Sequence, residues 1–155
     1  QIPYLGGTLT LLGKISDTFK VCNNKNYLFI SETDRNFEDL AIKKLQNHAR
    51  DIINIRALAS AKRIGQKINC LTVGDAKTQW GSCSSKGNLS FSWRLIMAPE
   101  NVLMYVISHE VAHLKELNHG DHFWKIVEGL SENISESQQW LRQNSSQLRR
   151  YGRSI

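Results

Sequence analysis

Two hydrophobic periods take turns along the chain, and the switches between them mark out its elements. GTLTLLG (7–13), FKVC (19–22) and NYLFI (26–30) are short runs broken by polar clusters such as Asn23-Asn24-Lys25-Asn26. Runs of this kind predict strands, the last two paired around the asparagine-rich turn. From Phe37 the period lengthens. Phe37, Ala41, Leu45, Ala49, Ile52 and Ile53 recur at helical spacing, which predicts helix over 36–64 in one piece or two. INCLTV (68–73) returns to a strand pattern. TQWGSC (78–83) and NLSFSWRL (88–95) flank Ser84-Ser85-Lys86-Gly87, a hairpin turn by composition. In the second of these, Leu89, Phe91 and Trp93 alternate with Ser90, Ser92 and Arg94, as in a strand with one buried face.

Pro99 and Glu100 suit the first turn of a helix, the proline for its fixed φ and the glutamate for its charge near the positive end. That helix should run to about Leu117, with Asn118 and Gly120 able to end it. A short helix over 121–128 should stop at Gly129. Ser135 and Gln138 have capping-box spacing ahead of a last helix carrying Trp140, Leu141 and Leu148. Only the tail RRYGRSI reads as frayed.

Length and composition narrow the class. At 155 residues, one domain with a real core is expected. The net charge of +6 is compatible with a nucleic-acid or acidic partner but does not establish one. Arg142, Arg149, Arg150 and Arg153 gather positive charge near the C-terminus, where a solvated helix face is favoured over nucleic-acid contact. Cys22, Cys70 and Cys83 are odd in number and form no CxxC pair, so a disulfide framework is not expected and a reducing cytoplasm is. The start lacks the succession of a signal peptide. The most apolar stretch, 95–114, is interrupted by Glu100, His109, Glu110 and His113, which excludes a membrane span. Oligomeric state leaves no mark in the sequence.

Four of the five histidines fall between 109 and 122, in SHEVAHLKELNHGDH. His109 and His113 are four apart on the expected helix, about 40° apart in azimuth and about 6 Å along its axis, so both imidazoles can reach one ion. Glu110 follows the first histidine. This is HExxH, in which two histidines ligate zinc and the glutamate is general base. A catalytic zinc takes three protein ligands, and the third can come from His119, His122, Glu116, Asp121 or Glu128. The interval from His113 to His119 is that of metzincins, but Glu116 stands where they carry glycine. No methionine follows the motif, so a Met-turn is excluded.

The stretch TQWGSCSSKGNLSFSWRLIMAPENVLMYVISHEVAHLKELNHGDHFW resembles the signature region of the YgjP-like metallopeptidases, also called predicted metal-dependent hydrolases. Trp80-Gly81-Ser82-Cys83, Pro99, Tyr105, the HExxH residues, Asn118-His119 and Phe123-Trp124 carry the match, which is tight over 78–127 and looser upstream. SprT-type and WLM-type proteases share the histidine ending. Gln79 departs from the arginine that often precedes the tryptophan. The resemblance implies His119 as third ligand, with His122 solvent-facing or supporting. It also implies a zincin-like α+β fold, a small mixed or antiparallel sheet packed against the active-site helix. The organisation expected is a β-rich start over 1–32, a helical segment over 36–64, a metal-binding core over 68–130 and a C-terminal helix over 135–150.

The function expected is zinc-dependent hydrolysis of peptide bonds, with one zinc per chain on His109, His113 and His119 and Glu110 as base. A peptide or protein substrate should lie extended along the strand holding Leu89, Phe91 and Trp93. Cys83 and the aromatics read as packing, and Tyr105 as a packed tyrosine within reach of the site. Three rivals stand: hydrolysis of a nucleotide or phosphate ester, a DNA-associated SprT-like protease, and a non-catalytic zinc module with a fourth ligand from His122 or Cys83.

Overall fold

The computed structural model describes residues 1–13, 19–22, 25–30 and 37–152. The chain opens with a hairpin of β1 (Ile2–Tyr4) and β2 (Gly7–Gly13). Its two-residue loop, Leu5-Gly6, has φ of 44° and 84°, the positive pair that matches the twist of a tight hairpin. The Leu5 N–H donates to the Ile96 carbonyl at 2.8 Å and pins this turn to the core. β3 (Phe19–Cys22) and β4 (Lys25–Ile30) pair antiparallel, as expected. Asn23 and Asn24 of their turn lie outside the described residues. The sheet order is β1-β2-β4-β3, with β2 and β4 parallel. Strand β1 has no counterpart in the sequence pattern, being three residues long with Pro3, which an edge strand tolerates.

The helical segment is one continuous helix, α1 (Phe37–Arg63). Ala41, Leu45, Ala49, Ile53, Ala57 and Ala61 are buried along it at fourfold spacing, and the four alanines let neighbouring backbone approach closely. Glu38 and Asp39 in its first turn and Lys62 and Arg63 in its last complement the helix dipole. His48, the histidine outside the cluster, bonds through Nε2 to the Tyr4 hydroxyl at 2.7 Å and ties α1 to β1. Burial lowers its pKa, opposed in part by Asp51.

A second, three-stranded sheet sits closer to the histidines: β5 (Cys70–Gly74), β6 (Gly81–Cys83) and β7 (Asn88–Ser92), in the order β5-β7-β6. The turn predicted between β6 and β7 is present, with Gly87 at φ +78° and the Ser84 N–H bonded to the Asn88 carbonyl at 2.9 Å. The strand expected to reach Leu95 ends at Ser92, and the chain coils into a buried 3-10 helix, Trp93–Met97. Next come α2 (Glu100–Ala112), α3 (Asp121–Leu130) and α4 (Ile134–Leu148).

α2 packs against α1, α3, α4 and β6. Val102, Leu103, Ile107, Val111 and Ala112 are fully buried. Each larger aliphatic among them contributes about 1.5–3 kcal/mol on burial, so the position of α2 is set from several sides at once. Four expectations need correction. α2 stops at Ala112 rather than near Leu117, because the chain must reverse there to return His119. α3 runs through Gly129 to Leu130. The capping box does not form: Asn133, at φ 55°, occupies the N-cap without a side-chain bond, and Gln138 instead donates to the Tyr105 hydroxyl at 3.1 Å. Part of the tail is fixed, since the Tyr151 carbonyl accepts from Nε of buried Arg94 at 2.9 Å and Gly152 lies against Trp93. Among the described residues, no helix is long and apolar enough to cross a membrane.

Candidate metal centre

The last turn of α2 carries His109, and His113 is its C-cap. Beyond Ala112 the chain tightens into turns, with Leu114 N–H bonded to the Val111 carbonyl at 3.0 Å and Glu116 N–H to the Ala112 carbonyl at 2.9 Å. This reversal brings His119 back beside the helix. Ligand nitrogens of His109, His113 and His119 all lie within 4.8 Å of one another, close enough to share an ion after small ring rotations. Among the described residues no other histidine, cysteine, aspartate or glutamate joins such a group. His122 is exposed and outside it, as are Asp121 and Glu128.

Each ring is held by a neighbour. His113 Nδ1 lies 3.0 Å from the Glu116 carbonyl, which only accepts. Nδ1 therefore carries the proton and Nε2 stays bare for a metal. His109 Nδ1 is 3.1 Å from Glu110 Oε1, which leaves its Nε2 in the same condition. His119 has a lowered pKa, from desolvation first and then the adjacent His113 and His109, with Glu110 opposing. Its neutral, ligating form is thus favoured. Phe123, in the first turn of α3 and fully buried, backs all three rings, its centroid 5.0, 4.5 and 4.8 Å from His109, His113 and His119.

Glu110 is 7% exposed and points toward β6. A Cβ at Gly81 would stand 2.7 Å from Glu110 Cγ and 3.2 Å from Oε1, so only glycine leaves room for this carboxylate. Cys83, on the same strand, has its thiol pKa pushed up by burial and by the Glu110 charge, and it takes no part in the histidine group. Tyr105 is buried and meets the His109 ring edge-on at 6.0 Å.

The strand expected to receive substrate, around Leu89, Phe91 and Trp93, lies at the centre of its sheet. All three side chains are 1% exposed. β7 is the middle strand, parallel to β5 on one side and antiparallel to β6 on the other, so its backbone groups are already paired. Trp93 has left the strand for the 3-10 helix. The alternation read correctly as burial but could not say which strand is at the edge. The edges are β5, which packs on α1, and β6, which packs on α2 and whose outer side meets no strand among the described residues.

With this geometry in view, the family model of the YgjP-like metallopeptidase domain matches residues 1–144. The chain belongs to the YgjP-like metallopeptidases. It is accordingly a peptidase of a metal-dependent class, and its histidine triad is the group able to hold the metal. Two solved structures are similar to this YgjP-like chain. One is the metallopeptidase zymogen of Methanocaldococcus jannaschii jannalysin, at 26% identity and TM-score 0.50 over 63% of this chain and 96% of that one. The other is the metallopeptidase zymogen of Pyrococcus abyssi abylysin, at 22% identity and TM-score 0.44 over 68% and 93%. None of the curated proteins matches the chain.

The YgjP-like resemblance marked several residues whose work only the packing reveals. Gly81 of the WGSC stretch makes space for Glu110, and Phe123 of the FW pair is the wall behind the triad. Glu116, weighed as a ligand, contributes a carbonyl to His113 instead. Leu141, near the glutamate, carried no sequence signal beyond its helical spacing.

Proposed function

We propose that the chain is a zinc-dependent metallopeptidase in which His109, His113 and His119 hold one zinc ion and Glu110 is the general base. The observation that carries this reading is the set of three gathered imidazoles beside a buried glutamate, with no fourth donor among the described residues. Imidazole nitrogens suit zinc, and three protein ligands leave a place that a closed structural site would fill. Zinc in such a site supplies Lewis acidity, which lowers the pKa of water and polarises a scissile carbonyl. Glu110 accepts the proton of the attacking water and delivers it to the leaving amine. The gap at Gly81 holds that carboxylate against β6, so proton transfer occurs next to the edge strand. An extended peptide pairs with the free side of Gly81–Cys83 by main-chain hydrogen bonds, which makes binding tolerant of sequence.

Peptides or proteins are the substrates of this reading. Arg149 bonds to the Thr78 carbonyl, so part of the basic C-terminal charge serves an internal contact rather than nucleic acid. Arg142 and Arg150 are exposed, and Arg153 lies outside the described residues. The free thiols of Cys70 and Cys83 suit a reducing cytoplasm. One buried cluster spans both sheets and all four helices, which supports a single domain.

The test is incubation of the zinc-loaded chain with an unbiased peptide mixture and, separately, with phosphate monoesters and diesters. Peptide cleavage that disappears on chelation and returns with zinc is expected. Turnover of a phosphate ester with every peptide intact would refute the reading.

A further inference from the structure

Beside Glu110 lies a cavity of about 240 Å³, between α2, the segment leading into β6, and α4. Its walls include Trp80, Val106, Tyr105 and Leu141, with Gln79 at the side. The volume is below the range of about 300–1,000 Å³ typical of whole small-molecule sites, so it suits one side chain rather than a complete ligand. His109 and Glu110 also line it, which places that side chain next to the reacting bond.

The lining decides the chemistry. Glu110 is its only carboxylate, and it has no lysine or arginine. An acidic side chain would meet Glu110 and find only neutral partners in Gln79 and Tyr105, so it would lose water without compensation. A basic side chain would pair with Glu110 and tie up the base. An apolar side chain has Trp80, Val106 and Leu141 to pack on.

The size limit is built in from α4. Leu141 supplies one wall, and the same helix fixes another, because Trp80 Nε1–H donates to Ser145 Oγ at 2.9 Å. Arg149 sits over the Trp80 ring, 5.3 Å from its centroid, and donates Nη2–H to the Thr78 carbonyl at 2.8 Å. With Trp80 held at its indole nitrogen, its ring face and its approach, the wall cannot swing aside for a bulkier group.

We infer that this cavity receives the uncharged apolar side chain of the substrate residue flanking the scissile bond, with Leu141 and Trp80 setting its upper size. The inference rests on the metallopeptidase reading above and adds the specificity to it. Two arms test it. In the first, bonds cleaved in a peptide mixture by the zinc-loaded chain are catalogued for wild type, Leu141→Ala and Leu141→Phe. Wild type should favour leucine, methionine or phenylalanine over alanine on one fixed side of the bond by at least about tenfold, the scale of a few buried carbons in a pocket, and should reject aspartate. Leu141→Ala should extend the preference to tryptophan, and Leu141→Phe should shift it to alanine or valine. The second arm needs no turnover. The indole N–H resonance of Trp80 in the full chain, assigned with Trp80→Phe, is followed while N-acetyl-leucinamide or N-acetyl-aspartamide is added. The leucine compound should shift it, the aspartate compound should not, and Leu141→Phe should abolish the shift. Cleavage without preference on either side of the bond, or a preference unchanged in both Leu141 variants, would overturn the inference. A Trp80 shift in a chain that cleaves no peptide would instead overturn the metallopeptidase reading and leave the apolar pocket standing.

Discussion

Replacing Gly81 by alanine is the most exact probe of how this fold places Glu110, the proposed base. The backbone there has no positive φ, so alanine brings no conformational penalty and the effect is steric. Its Cβ would lie 2.7 Å from Glu110 Cγ, where ordinary contact begins at 3.4 Å, so one side must yield by several tenths of an ångström. β6 is held by its pairing to β7 through Gly81, Ser82 and Cys83, so the glutamate is the freer partner. Turning it away loosens its 3.1 Å contact with His109 Nδ1 and moves the carboxylate off its working position. A misplacement of about 1 Å costs on the order of 100-fold in rate, and overpacking a core costs about 1–3 kcal/mol of stability. Gly81→Ala should therefore lower kcat by about 10–100-fold. Its zinc content should equal that of wild type, since all three histidines are kept. The assay is steady-state cleavage of one peptide taken from the mixture screen, with metal analysis and thermal unfolding on the same preparation. Wild-type kcat in a folded, zinc-loaded variant would refute the steric argument, and loss of zinc would show that Gly81 acts through the ligands.

Further outcomes follow from the same geometry. His119→Ala should reduce zinc affinity by orders of magnitude and His122→Ala should leave it nearly intact, as read by competition with a chromophoric chelator; equal losses would overturn the ligand set. Because desolvation and neighbouring imidazoles lower the His119 pKa from 6.5, its neutral form persists below the ordinary histidine range. His48 is likewise held neutral by burial, so an unfolded chain takes up its proton at higher pH than the folded one. Stability should drop as pH falls below about 6.5, and His48→Gln should flatten that slope in urea melts. Phe123→Ala should cost about 3–5 kcal/mol in urea unfolding, because a fully buried ring that backs three imidazoles is lost; a cost under about 1 kcal/mol would remove Phe123 from the wall.

Local signals were legible where one physical effect dominated. The helical period from Phe37 continued without interruption because its buried positions alternate with exposed charges and no glycine or proline breaks the run. HExxH was legible because fourfold spacing on a helix is itself a geometric statement. What sequence pattern could not provide was the arrangement of strands. Leu89, Phe91 and Trp93 announced burial, yet an alternating strand at the centre of a sheet and one at its edge read alike. The proposed rail is β6 rather than β7 for that reason. Helix ends failed where tertiary demands prevailed: α2 stops at Ala112 so that His119 can return, and Gln138 leaves its expected cap to bond Tyr105. Gly81 could be recognised as part of a motif, but its purpose depends on Glu110, twenty-nine positions away in sequence and in contact only after β6 and α2 have packed.

Glu110 is proposed to perform chemistry beside a metal held by three histidines. The most direct measurement pairs zinc content with peptide cleavage in wild type and Glu110→Gln. The amide keeps the size of the side chain and fits the same gap at Gly81, but it cannot take a proton from water. One zinc per chain in both proteins, with cleavage lost only in the variant, is expected. Undiminished cleavage by Glu110→Gln at full zinc occupancy would contradict it.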